Sequence, residues 1–292
     1  MRFGIDLGGT KTEGVVLDAA GREILRERAP TDASRYEAVL DGIERLYRRM
    51  VDAAGGAPHT LGIGTPGAVS RRTGLLKNSN TICLNGMPFA RDLRARLGRE
   101  LAVENDANCF ALAEALAGAG RGHRVVFGVI MGTGCGGGIV LDGKVHGGLQ
   151  SIAGEWGHTV IDPAGPACYC GARGCVETFI SGSGLENRYA ERAGSRRPVD
   201  EIVGAWRAGE PAATGTMHDF FARFGQALAN LIAVLDPDVV VLGGGLSNID
   251  ELYARGVDEI RRRVFSDSLE TPIVKHRLGD SAGVIGAALV GV

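Results

Sequence analysis

Aromatic residues are scarce in this chain of 292, at 5% of the total, and neither sign of charge prevails. The 32 Lys and Arg stand against 34 Asp and Glu, for a formal net charge of −2. That balance leaves no electrostatic case for nucleic acid or an anionic membrane, so neither is expected as a partner. No apolar run approaches the roughly 18 residues needed to span a bilayer. Met1 leads at once into a strand-like segment, without the basic and apolar regions of a secretory leader. Nothing in the sequence suggests an oxidising compartment, and the expectation is a soluble, reduced, cytoplasmic protein. What the chain does have is glycine. Its 46 glycines lack a collagen-like period and cluster beside apolar strand-like runs, which suggests loops that present bare backbone to a ligand.

Three of the six cysteines, Cys168, Cys170 and Cys175, fall within eight positions, and His158 stands ten residues before the first. One His and three Cys complete the tetrahedral shell that a structural Zn²⁺ prefers. A disulfide would leave one of the three cysteines over, so zinc is the expected occupant. Four protein ligands leave no open position, which makes that metal a support rather than a catalyst. Glu155 and Glu177 bracket the cluster, where a rigid clip would hold their carboxylates as fixed acceptors for sugar hydroxyls.

An internal echo organises the chain. Residues 3–18 read FGIDLGGTKTEGVVLD, and 124 residues on, 127–142 read FGVIMGTGCGGGIVLD, with seven of sixteen positions identical. Each copy runs apolar strand, Gly/Thr-rich turn, apolar strand, the pattern of a β-hairpin. The first hairpin is followed by strands near 23–28 and 60–64, an amphipathic helix over 33–53, a helix over 88–97, and a strand at 101–104 leading into a helix over 107–117. After the second come a long helix over 212–235 that ends before Pro237, a strand at 238–242, and a last helix rich in small residues. An α/β protein with two related halves and a cleft between them is expected. The halves are a smaller domain over 1–118, to which a helix at about 280–292 returns, and a larger one over 119–279 with the cysteine motif.

The turn Asp6-Leu7-Gly8-Gly9-Thr10-Lys11-Thr12 offers backbone N–H groups and hydroxyls suited to phosphate, although it is not a GxxxxGK[ST] loop. Gly132, Thr133 and Gly134 open the matching turn of the second half. Gly243, Gly244 and Gly245 form a third tight turn, where a nucleotide's sugar and base could rest. Asp6 ends the first strand, a position apt for a Mg²⁺-binding carboxylate. In Asn105-Asp106-Ala107-Asn108, three residues could cap the following helix where one suffices, which leaves Asp106 as a candidate acceptor for an alcohol proton. Gly67 and Asn80 are loop residues that could line the same pocket.

Taken together, DLGGTKT (6–12), GTPG (64–67), ENDAN (104–108), GTGCGGG (132–138), GEWGH (154–158), CYCGARGCVE (168–177) and VVLGGG (240–245) resemble the ROK family of repressors, open reading frames and sugar kinases. The resemblance implies the two-lobed actin/hexokinase-like ATPase fold of duplicated ribonuclease H-like domains. It also implies transfer of phosphate from ATP, with Mg²⁺, to a hexose hydroxyl, the 6-OH being expected. By the same resemblance Asp106 is the catalytic base, and Asn105, Glu155, His158 and Glu177 contact the sugar. His158 also ligates zinc with Cys168, Cys170 and Cys175, Asp6 and the two loops hold metal and phosphates, and Gly243–Gly245 border the adenosine. KNSNTICLNG (77–86), AGEWGH and CVETFISG look most like bacterial fructokinases of the manno(fructo)kinase type, so fructose is the expected sugar. N-acetylglucosamine, N-acetylmannosamine and glucose kinases of the family are the alternatives, and a non-catalytic sugar-sensing regulator is the rival from another class. Against that rival, the chain has no helix-turn-helix before Asp6 and retains Asp106. Dimers are common in the family, which makes a homodimer a possible state.

Overall fold

The computed structural model describes residues 1–291, which divide into two compact units. Unit 1 takes Met1–Ala113, Lys144–Ala153 and the chain from Leu278 onward, and unit 2 takes Glu114–Gly143 and Gly154–Arg277. The short return of Lys144–Ala153 to unit 1 is a departure from the expected single boundary after 118. It has no sequence signal of its own, being fixed by contacts such as Lys77 Nζ donating to the Gln150 carbonyl at 2.8 Å. The helix expected over 280–292 is observed over Ala282–Val290, and residue 292 lies outside the described residues.

In unit 1, β1 (Arg2–Leu7), β2 (Lys11–Leu17) and β3 (Glu23–Pro30) form an antiparallel meander, and β4 (Thr60–Thr65) and β5 (Ala102–Asn105) add to it in parallel. The order across the sheet is β3-β2-β1-β4-β5. Pleating sends Phe3, Ile5 and Leu7 to one face, where they join the core under α1 (Tyr36–Ala53) and α2 (Phe89–Leu97). The stripe that α1 buries, Val39, Leu40, Ile43, Leu46, Tyr47 and Met50, has the three-to-four spacing of a helix with one apolar side. Gly4 and Gly62, paired across β1 and β4, make a flat floor on the opposite face. A Cβ on Gly62 would lie 1.9 Å from the carbonyl oxygen of Ala287, so bare backbone is needed there for the last helix to dock.

The chain passes through α3 (Asp106–Ala117) into unit 2, where β6 (Val125–Met131) pairs antiparallel with β7 (Cys135–Leu141). Next come α4 (Glu177–Ile180), α5 (Gly182–Ala193), α6 (Val199–Arg207) and α7 (Pro211–Leu235). Proline at the first turn of α7 costs no hydrogen bond, and Asp236 closes the helix in the left-handed region just before Pro237. β8 (Val239–Gly243) and β9 (Ile273–Lys275) flank α8 (Arg255–Arg261) and lie parallel to β6, giving the order β7-β6-β8-β9 among the strands of unit 2. The chain then re-enters unit 1 through α9 (Ala282–Val290). Each sheet thus has a central strand with its hairpin partner on one side and two parallel strands on the other. The hairpins differ by one residue in register. Phe3 pairs with Val16, whereas Phe127 pairs with Ile139, so the second turn is the tighter one.

Candidate active site

The parallel strands of unit 1 place the expected residues at one edge of its sheet. Asp6 on β1 is level with Gly64 on β4, and Thr65 is level with Asn105 on β5. Ligands of open α/β sheets bind beyond the carboxyl ends of such strands. Asn105 is the cap of α3, its Oδ1 accepting from the N–H groups of Ala107 at 2.9 Å and Asn108 at 3.2 Å. Its Nδ2 donates to the Gly67 carbonyl at 3.1 Å, so this expected sugar ligand is also a strut between two loops. Gly67 itself has φ +82, and a Cβ there would sit 2.3 Å from the Lys77 carbonyl oxygen. Asp106 opens α3, and its Oδ1 accepts from the Ala107 N–H at 2.8 Å. Asn80 is exposed on the nearby loop.

Burial pushes the Asp6 carboxyl up to about 7, the charges of Asp106 and Glu13 add to the rise, and Lys11 opposes it. The carboxylate is hemmed in by glycines, since a Cβ on Gly283 would lie 2.8 Å from Oδ2 and one on Gly64 3.1 Å from Oδ1. A buried carboxyl whose ionisation a neighbouring carboxylate makes costlier is a donor that fits a hard divalent cation. The β1–β2 turn closes with Gly8 N–H donating to the Lys11 carbonyl at 2.9 Å, and Gly9, Thr10 and Lys11 are exposed. Thr12 departs from expectation. It is 5% exposed and its hydroxyl bonds to that of Thr31 at 2.8 Å, so it fixes the hairpin rather than facing a phosphate.

Sequence reasoning missed Thr81. Its hydroxyl is buried with no hydrogen-bond partner among the described residues, and it lies 3.7 Å from where a Cβ on Gly9 would be. An orphaned hydroxyl beside an exposed glycine turn invites a polar ligand. Within the polar run 77–86, nothing in sequence sets Thr81 apart from a turn residue.

In unit 2 the turn between β6 and β7 is Gly132-Thr133-Gly134. Gly182 N–H donates to the Gly132 carbonyl at 2.7 Å, and the Cys135 N–H donates to Glu177 Oε2 at 2.8 Å. A pocket of about 660 Å³ is lined by Gly132, Thr133, Gly182, Ser183 and Gly245, with Val203 and Leu246 supplying apolar wall. The loop and the start of α5 therefore border one cavity of nucleotide size. Of the third glycine turn, Gly245 reaches this pocket. Gly243 ends β8, and Gly244, at φ +77, packs against Met131 with 2.5 Å between its would-be Cβ and that carbonyl oxygen.

The ligating atoms of His158, Cys168, Cys170 and Cys175 all lie within 4.8 Å of one another. Cys170 Sγ is 3.6 Å from Cys175 Sγ, and Cys168 Sγ is 3.5 Å from His158 Nδ1. Bond lengths of about 2.3 Å to sulfur and 2.0–2.1 Å to nitrogen give tetrahedral edges of roughly 3.8 and 3.6 Å, close to these separations, so the donor set fits zinc. His158 Nε2 lies 3.0 Å from the Tyr169 hydroxyl, an outer partner of the kind that orients a ligating imidazole. Glu155 begins the turn that carries His158. Trp156 between them is structural, its Nε1 donating to the Gly136 carbonyl at 3.1 Å and its ring set edge-on to Phe127.

A family model described as ROK family matches residues 2–291. The chain belongs to the ROK family. It is 38% identical over 299 residues to an N-acetyl-D-glucosamine kinase of Haemophilus influenzae (strain 86-028NP), covering 99% of this chain and 98% of that relative. The crystal structure of a ROK hexokinase from Thermus thermophilus matches with a TM-score of 0.90 at 35% identity, covering 99% of this chain and 97% of that one. A ROK family glucokinase from Streptomyces griseus, solved with glucose and AMPPNP, matches with a TM-score of 0.82 at 30% identity, covering 99% and 98%. These matches bear out the expected hexokinase-like α/β fold and the expectation of a sugar-phosphorylating enzyme. The fructokinase expectation finds no support in them. Among the described residues no helix is long and apolar enough to cross a membrane.

Proposed function

We propose that this ROK protein is an ATP-dependent N-acetyl-D-glucosamine kinase acting on the sugar's 6-hydroxyl. The observation that carries the chemistry is the place of Asp106, at the strand edge beside Asp6, with Asn105 capping the helix that Asp106 opens. The amino sugar in place of fructose is supported by the 38% identity to a kinase of that name.

In this reading Asp106 accepts the hydroxyl proton as the sugar oxygen attacks the γ-phosphorus, the bond to the β-bridging oxygen breaks, and ADP leaves. In unit 2 the amides of Thr133–Gly134 would line the phosphates and the pocket at Gly245 would take the adenosine, and in unit 1 the turn Gly9–Lys11 offers amides of the same kind. Bound Mg²⁺, held through Asp6, would neutralise charge on the phosphates. Asn105 in unit 1 and Glu155, His158 and Glu177 in unit 2 would read sugar hydroxyls, and Gly67, Asn80 and Thr81 would serve from the loops of unit 1. Zinc on the Cys/His cluster would hold His158 and the start of α4 in fixed positions.

A coupled assay of ADP release tests the substrate. N-acetylglucosamine should give the highest kcat/KM in a panel with N-acetylmannosamine, glucose, mannose and fructose. Fructose or glucose in first place would overturn the assignment, and sugar binding without turnover would point to a regulator.

A further inference from the structure

We propose that Glu177 is a positioning residue for the nucleotide, acting by holding the loop Gly132–Gly134 against the start of α4 and α5. The inference rests on the kinase reading above and gives Glu177 a second task beyond a sugar contact.

The loop needs such a hold. Two of its three residues are glycine, and it carries one internal hydrogen bond, Gly132 N–H to the Gly134 carbonyl at 3.0 Å. A loop of this composition orders at a high entropic cost, so a phosphate would bind it weakly unless something else fixed it. Three ties do so, all from one short stretch of chain. Gly182 N–H donates to the Gly132 carbonyl at 2.7 Å, Ser183 N–H donates to the Thr133 carbonyl at 3.3 Å, and Glu177 Oε2 accepts from Cys135 N–H at 2.8 Å. No peptide is cis among the described residues. With the carbonyls of Gly132 and Thr133 turned toward α5, planar trans peptides send the N–H groups of Thr133 and Gly134 the opposite way. Those are the donors a phosphate would use.

The carboxylate is out of place on electrostatic grounds alone, because a negative charge beside a phosphate loop repels the ligand. Its position makes sense as an acceptor that pins the loop's far end. Gly134 is matched to it, since a Cβ there would lie 2.6 Å from Glu177 Oε2. Glu177 is also the first residue of α4, two positions after Cys175 and next to Val176, which is fully buried. Whatever fixes the Cys/His cluster therefore fixes the loop.

Calorimetric titration of full-length, zinc-replete protein with Mg·ADP, without sugar, tests this apart from turnover. Glu177→Ala should weaken Mg·ADP about tenfold, the loss of one hydrogen bond to a charged acceptor. Glu177→Gln, whose carbonyl oxygen still accepts from Cys135, should stay within about twofold of wild type. Wild-type affinity in Glu177→Ala overturns the proposal, and so does a loss in Glu177→Gln as large as in Glu177→Ala. Should Glu177→Ala fail to fold, Gly134→Ala replaces it. Crowding the carboxylate from the loop side should also weaken Mg·ADP, and unchanged affinity there is equally fatal. Wild-type protein that binds Mg·ADP but phosphorylates no sugar would end the kinase reading while leaving the loop result standing.

Discussion

Asn105 and Asp106 are adjacent, chemically similar and differently employed. Asn105 spends its oxygen on two helix N–H groups and one N–H on Gly67, so α3 does not depend on Asp106 for its cap. Replacing Asp106 by Asn removes the base and keeps both shape and an oxygen that can accept from Ala107. Asp106→Asn should therefore melt within a few degrees of wild type and bind sugar normally, yet lose roughly 10²- to 10⁴-fold in kcat. Near-wild-type turnover would remove Asp106 from the mechanism. The division of labour was half legible. Three candidate caps within four positions signalled a surplus, but only the strand register and the hydrogen bonds show which residue is the cap. Thr12 and Thr81 mark the limit. Both hydroxyls are equally buried, and only the hydrogen bonds separate the one paired with Thr31 from the one with no partner among the described residues.

Among the elements, the cysteine motif was the most readable because metal chelation depends on local spacing. His158, Cys168, Cys170 and Cys175 converge as the sequence implied. What spacing could not show is that the motif runs directly into α4 and so to the β6–β7 turn, a relation carried by hydrogen bonds between distant segments. Protein purified without chelator should carry about one zinc per chain by elemental analysis. Cys170→Ser should lose that zinc on dialysis and melt several degrees lower. Metal-free wild type with an unchanged melting temperature would dismiss the clip. The repeat was equally legible at this scale, since seven identities in sixteen positions marked two hairpins that the structure places at the centre of two sheets of matching order. Their one-residue difference in register was not, because an ungapped echo fixes no pairing.

For the molecule as a whole, the division of the chain is the least legible feature. Unit 1 is assembled from three segments: the helix at the end was expected to return to it, whereas Lys144–Ala153 carries no compositional sign of where it belongs. That helix, α9, is marked by its small-residue content, which the glycine floor on β1 and β4 explains. Gly62→Ala would drive a methyl group into two backbone atoms, the Ala287 carbonyl oxygen at 1.9 Å and the Gly291 nitrogen at 2.9 Å. Backbone cannot swing aside as a side chain can, so a loss of about 1–3 kcal/mol or more is expected, read as a lower melting temperature. An unchanged melt would mean that α9 docks loosely. The same floor has a consequence for biosynthesis. Gly4 and Gly62 leave the ribosome early, whereas α9 follows every other element of both units, beginning 220 positions after Gly62. At about 5–20 residues per second, the sheet waits roughly 10–45 s for its cover. Unit 2 has its complete sequence at Arg277, before α9 begins, so unit 1, although most of it is made first, is the half completed last, and its uncovered face is where a chaperone would find the nascent chain.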